Sequence, residues 1–216
     1  MPIHELIATS KMPSIIDVGT GKVGSNSHPL HPATVHLPIA FLFAASLLDI
    51  IAFGSLHSPL LVICLRNALG FLFPAATPAA VIYHLSLFSY ASTVAGILAA
   101  LPAISSGLFE LSAMVSARGL DLADPVVKTT LIHAGVNDAA VLGAVYNAVS
   151  QWGDGFAPSG GNAFVSLGIL GGVGYAAFLG GGLVYEHGVG VQRMGRGKEE
   201  KEQKQAVERS KAGKEL

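Results

Sequence analysis

The chain has 216 residues, 51% of them hydrophobic and 12% charged, with a formal net charge of −1. That charged share is about half the usual one for a soluble domain, and the mean hydropathy of +0.55 agrees; the residues for a water-facing coat are missing, and the chain reads as an all-α integral membrane protein. The single Cys64 excludes an intrachain disulfide and a cysteine metal cluster, and the near-neutral balance excludes a basic nucleic-acid-binding surface.

Residues 1–27 form a polar N-terminal segment, MPIHELIATSKMPSIIDVGTGKVGSNS. It carries acids and no long apolar core, unlike a secretory signal or an Arg-rich transit peptide, so targeting falls to the first span. DVGTGKVG hints at a phosphate loop, but the Walker spacing and the Ser or Thr after Lys are missing. The next stretch, SHPLHPATVHLPIAFL (27–42), sets His28, His31 and His36 against an apolar run. His28 and His31 each precede proline, which favours extended backbone and a role in orienting the first helix rather than in ligation. Pro38 is tolerated only in a first helical turn, so the helix starts near residues 35 to 37.

A bilayer core about 30 Å thick calls for roughly 20 mostly apolar residues per helix. Four windows meet this, about 35–55, 83–109, 127–149 and 163–185, and predict a four-helix membrane bundle within residues 28–191. Residues 56–82 are apolar but interrupted by Arg66, Asn67, Pro74 and Pro78, which favours a short or re-entrant segment over a fifth span. Asp49, near the far end of span one, has Arg66 as its expected partner. RGLDLADP joins spans two and three, and QWGDGFAPSGGN joins three and four, with Trp152 suited to an interface. Residues 192–216 are a charged tail with hardly any apolar stripe, read as disordered or as a loose surface helix. Its final KEL lacks the four-residue retention form. Four spans place both termini on one side, together with twelve of the thirteen Lys and Arg, and leave Arg66 alone on the other. The positive-inside rule then faces both ends to the cytoplasm or its organellar equivalent.

Helices in lipid pack through small residues, and each span has a candidate inward stripe at steps of three and four. Span one offers His36, Ala40 and Ala44. Span two offers Gly96, Ala100, Ala103, Gly107 and then Glu110. Span three offers His133, Asn137, Ala140, Ala144 and Asn147. Span four offers Gly171, Gly172, Gly174 and the triplet Gly180 to Gly182, ending at Tyr185 and His187. Alternating directions bring His31, His36, Glu110, His133 and His187 to one depth, near the inner leaflet.

These residues carry a resemblance. HPLHPATVHLPIAFL with the later Asp49, AGILAALPAISSGLFE, Lys128 with His133 and Asn137, and GGLVYEHGVGV are together similar to the domain of unknown function 2231 family over about residues 28–191. Leu37 stands where that family commonly has phenylalanine, Glu110 where it usually has aspartate, and the 56–83 segment is longer than typical. The resemblance implies a small four-helix membrane protein. Some bacterial relatives are joined to a Rieske-type iron–sulfur domain, which implies a link to electron transfer without an established reaction.

Read as chemistry, His36, His133 and His187 are candidate axial ligands of a haem b, since histidines of different helices at one depth suit a cofactor inside a bundle. Small residues beside them would leave room for the porphyrin. His31, His36, Glu110 and His133 are alternatively the candidate ligands of a non-haem metal, because imidazole with carboxylate suits Zn or Fe. The bland alternative is that these histidines hydrogen-bond backbone and one another at the headgroup boundary. Asn137 and Asp138 are further polar residues within a span. Asp138, about 18 Å along span three, is a candidate for proton movement or a protonated acid bonded to Tyr90 or Ser92. His4, His57 and His84 have no evident partner and are read as surface or interface residues. No Ser, His and Asp constellation supports a nucleophilic enzyme, and no inverted repeat supports a transporter. The expected partners are the lipid bilayer and a redox protein or membrane complex, and the competing function class is a non-enzymatic structural or assembly subunit.

Overall fold

The computed structural model describes residues 14–21, 30–68, 70, 77–153 and 155–189. His4, His28 and the 192–216 tail lie outside the described residues, so the expectations for them are not addressed by the fold. Among the described residues, four long helices form the bundle: α3 (His36–His57), α5 (Pro78–Arg118), α6 (Pro125–Gln151) and α7 (Gly160–Tyr185). Three short ones flank them: α1 (Ile15–Thr20), α2 (Leu30–Thr34) and α4 (Pro59–Ala68).

Local chemistry sets the helix starts. Pro59, Pro78 and Pro125 each open a helix, where the missing N–H is no loss and the fixed φ is already helical. Thr77 accepts from the Ala80 N–H, Asp124 from the Val126 N–H, and Ser159 forms a reciprocal capping box with Asn162. α3 begins at His36, which places Pro38 in its first turn as the sequence required. His31, expected to be extended, is instead inside the one-turn helix α2. The preference imposed by a following proline is a bias, and the bonds His31 makes to α5 outweigh it.

α5 and α7 each pack against both α3 and α6, closing a ring of four. The registers are antiparallel: Asp49 and Leu42 of α3 meet Ser89 and Gly96 of α5, and Asn147 and His133 of α6 meet Ser166 and Ala176 of α7. The bundle therefore has a loop end, carrying α4 and residues 152–153 and 155–159, and a terminal end, carrying α1, α2, the 119–124 turn and the close of α7. At the terminal end α1 lies on α5, with Gly19 against the Phe109 ring.

Its polarity is inverted relative to a water-soluble domain. Phe41, Leu47, Leu98, Leu101, Leu142, Val149, Phe164 and Phe178 face outward, while Ser46, Asp49, Ser89, Asn147, Gln151, Asn162 and Ser166 are buried. This arrangement suits a solvent of lipid tails. Among the described residues, three helical stretches are long and apolar enough to cross a membrane by length and composition: Leu30–His57, Pro78–Arg118 and Gly160–Tyr185. α6 is the exception. At 27 residues it is about 40 Å long, but Lys128, His133, Asn137 and Asp138 dilute its first half, and it belongs to the bundle through packing. Residues 56–82 contain α4, ten residues or about 15 Å, too short to cross.

The expected stripe of α3 falls on the wrong face, and that of α7 divides between inside and outside. α3 turns Leu42, Ala45, Ser46, Asp49 and Ala52 to the interior and leaves His36 and Ala40 exposed. On α7 the interior face is Asn162, Ser166, Ile169, Val173 and Ala176; Gly171 and Gly174 border open space, while Gly172 faces Val136 and Gly180 faces His133 of α6. Larger side chains took the contacts because an apolar or hydrogen-bonded surface fills a bundle interior better than a bare backbone does. The stripes of α5 and α6 lie inward: Gly96, Ala100 and Ala103 are buried, as are Ala140, Ala144 and Asn147. At Gly96 a Cβ would stand 2.6 Å from Leu42 Cδ2, so only glycine admits that leucine.

Candidate functional site

Polar side chains collect in two layers of the bundle, separated by the apolar cluster of Leu42, Ala140, Ala144, Ile169 and Val173. His133 and Asn147 mark the two layers on α6. They are fourteen residues apart in sequence, or about 21 Å along the helix.

The terminal-end layer holds the histidines. α2 delivers His31, whose Nδ1 lies 3.0 Å from the Ala103 carbonyl and 3.3 Å from Ser106 Oγ on α5. Thr34, one turn on, shares the Ser106 hydroxyl at 3.1 Å. α6 delivers His133, whose Nδ1 lies 2.9 Å from the Ala176 carbonyl of α7. A carbonyl only accepts, so both rings carry the proton on Nδ1 and present the Nε2 lone pair. Asn137 Nδ2 donates to the His133 carbonyl at 2.8 Å and lies 3.4 Å from its Nε2. The two imidazoles meet nearly perpendicular, 88° between planes and 6.4 Å between centroids. Glu110 is within electrostatic reach of His31.

Glycines make this layer possible. A Cβ at Gly107 would sit 3.0 Å from His31 Cε1, and one at Gly180 would sit 3.0 Å from His133 Cε1. The space that the sequence reading assigned to a porphyrin is taken, at these two positions, by the imidazoles themselves. His36 and His187 do not join them. His36 is exposed at the start of α3, and His187 is exposed beyond the end of α7. Among the described residues, no group of three or more His, Cys, Asp or Glu side chains is assembled to hold a metal ion. His57 and His84 each turn Nδ1 to a carbonyl of their own helix, that of Phe53 and of Ala80.

The loop-end layer centres on Asp49, which lies toward the far end of α3 as expected but has other partners than Arg66. Asp49 is 1% exposed, and Arg66, its expected partner, is on the surface of α4. Instead Oδ1 accepts from Ser89 Oγ at 2.6 Å, and Oδ2 accepts from Ser166 Oγ at 2.7 Å, Gln151 Nε2 at 3.0 Å and Asn147 Nδ2 at 3.2 Å. All four long helices contribute. Asn162 extends the network: its Oδ1 caps α7 by accepting from the Ser159 N–H, while its Nδ2 donates to Asn147 Oδ1 at 3.1 Å. The Ser89 hydroxyl also lies 2.8 Å from the Ala45 carbonyl, so its single proton is shared between that carbonyl and Oδ1. The signal was in the sequence: Asn147 with Gln151, and Asn162 with Ser166, are i, i+4 polar pairs at facing helix ends.

Asp138 stays outside both layers, exposed on α6, and the expected bond to Tyr90 or Ser92 is not made. Tyr90 stacks on Phe156 at 4.5 Å, where Gly155 and Phe156 adopt positive φ of 64° and 61° to turn the chain back, and Trp152 borders them, 71% exposed.

An apolar-outside helical bundle with polar layers inside defines an integral membrane protein. The chain belongs to the family described as predicted membrane protein (DUF2231), whose profile matches residues 27–193. No curated protein and no solved structure matches it.

Proposed function

We propose that this membrane protein binds a metal centre through His31 and His133, a haem iron or a single transition-metal ion, and takes part in electron transfer. The observation that carries the reading is the shared tautomer: each ring hands its Nδ1 proton to a backbone carbonyl, the arrangement that orients metal-binding histidines and exposes Nε2. Imidazole suits iron, copper and zinc alike, and Glu110, within electrostatic reach of His31, is the carboxylate proposed to join them on a bare ion. A redox-active centre supplies one-electron chemistry. The chain's part is to fix the two rings, keep the layer dry behind the apolar cluster of Met114, Val126, Val127 and Leu183, and set the centre close to the terminal end for a redox partner. By the distribution of Lys and Arg, that end faces the cytoplasm or its organellar equivalent.

The test is an absorption spectrum with metal analysis of protein from a cofactor-replete host. A stoichiometric metal or a Soret band, lost in His31→Ala and in His133→Ala but kept in His36→Ala and His187→Ala, supports the reading. Colourless, metal-free protein overturns it.

A second reading has its own observation. Asp138 is a carboxylate exposed near the middle of the least apolar long helix, and an ionisable group there is costly unless another chain covers it. It favours a structural or assembly subunit that docks a larger membrane partner through α6. Co-purification of a complex that Asp138→Leu disrupts would support this reading, and a solitary protein indifferent to that change would remove it.

A further inference from the structure

The carboxylate layer is not fully satisfied, and what it lacks has a consistent chemistry. Oδ2 of Asp49 takes three donors, but Oδ1 takes only the Ser89 hydroxyl, so lone pairs remain on Oδ1. Two further oxygens in this part of the bundle are buried and make no hydrogen bond: Gln151 Oε1 and Ser86 Oγ. Gln151 is 0% and Ser86 1% exposed, so water outside the protein does not reach them.

The helical registers place both on the same side of the acid. Ser86 precedes Ser89 by three residues on α5, whose start is at the loop end. Gln151 follows Asn147 by four residues on α6, whose finish is at the loop end. Ser86 therefore stands one turn beyond Ser89, and Gln151 one turn beyond Asn147, toward the same end. Gln151 is already tied to the carboxylate through Nε2, on Oδ2, which holds its amide group at the acid. The charge is as one-sided as the oxygens. Asp49 has neutral partners only, and among the described residues the ion pair is Arg118 with Asp124, far off at the terminal end. An uncompensated buried carboxylate is expensive at membrane depth.

We propose that Asp49 Oδ1, Gln151 Oε1 and Ser86 Oγ bind a small monovalent cation, entering from the loop end. Oxygen donors select a hard cation. A single positive charge neutralises the lone carboxylate, whereas a divalent ion would leave an excess charge of its own in a low-dielectric interior. The site is separate from the histidine layer and stands or falls independently of it.

The experiment is thermal unfolding of the full chain in detergent or nanodiscs, titrated with sodium or potassium chloride against choline chloride at constant ionic strength. A ligand that binds the folded state raises Tm by mass action, here by about 5–10 °C at a hundred-fold excess over Kd. The expected result is a saturable rise with sodium or potassium and none with choline, abolished in Asp49→Asn. If Asp49→Asn does not fold, Ser86→Ala decides, since it removes one oxygen ligand and leaves the carboxylate network whole; the cation midpoint should rise roughly tenfold. Equal curves in all three salts overturn the proposal, as does a cation response unchanged in Ser86→Ala. Tm that rises on acidification and ignores the cation also overturns it, by assigning the compensating charge to a proton.

Discussion

The two polar layers are built from the same helices about 21 Å apart, yet they solve different problems. Around Asp49, on α3, the partners are side chains of the other three long helices, each buried and several shared. Around the histidines the principal acceptors are backbone carbonyls, those of Ala103 and Ala176, and glycines supply the room. A side-chain knot fixes how the helices sit against one another, because every member has to find its partner at one register. An imidazole leaning on a backbone carbonyl fixes only itself and keeps one nitrogen for other use. The loop-end layer is thus the structural keystone, and the terminal-end layer is the chemical one.

The largest test of that contrast is stability. Asp49→Ala strands the Gln151 amide and the Ser166 hydroxyl, removes one acceptor each from Ser89 and Asn147, and should cost about 3–5 kcal/mol, against about 1 kcal/mol for His133→Ala, which loses a single bond of consequence. Denaturant titration of both variants in micelles reads the difference, and equal losses would erase the distinction. Next in size is the apolar layer between them. Gly96→Ala drives a methyl into Leu42 and should cost about 1–3 kcal/mol, while Gly171→Ala, on open space, should leave the unfolding midpoint within experimental error. Smaller in stability but specific in chemistry is Gly180→Ala, whose new Cβ pushes on His133 at 3.0 Å. It should lower metal content or shift the absorption band before it moves the midpoint; the reverse order would make the histidine layer structural too.

The smallest effect concerns a group outside both layers. The Val126 N–H bonded to Asp124, with the Arg118 guanidinium second, holds the Asp124 carboxyl below its ordinary value. A carboxyl depressed in the folded state contributes stability that is complete above the ordinary aspartate value and lost as pH falls through the folded one. Unfolding midpoints should therefore stay level down to mildly acid pH and drop below it, and Asp124→Asn should remove that share of the drop. A drop of the same size in Asp124→Asn would trace acid sensitivity to the buried layers instead.

Much of the fold was legible because it follows from local rules. Proline at helix starts, caps at Thr77, Asp124 and Ser159, and apolar length fix the helices one segment at a time. The α6 stripe from His133 to Asn147 was legible for a related reason, since each of its small or polar members had no bulky competitor on that face. The α3 face was not. His36, Ala40 and Ala44 make a plausible small-residue stripe, but in a helix apolar nearly all round periodicity carries no orientation, and the choice passed to Asp49 and Leu42.

The sequence by itself determined that the chain is helical, that its surroundings are lipid, and that His31, Glu110 and His133 lie toward one end, because length, hydropathy and chain direction are properties of segments. Tertiary structure alone decided that His36 and His187 stand apart from the other two rings and that Asp49 bonds four neutral side chains instead of Arg66. Those outcomes depend on the rotation of each helix about its axis, which is settled only when neighbours compete for the same interior space.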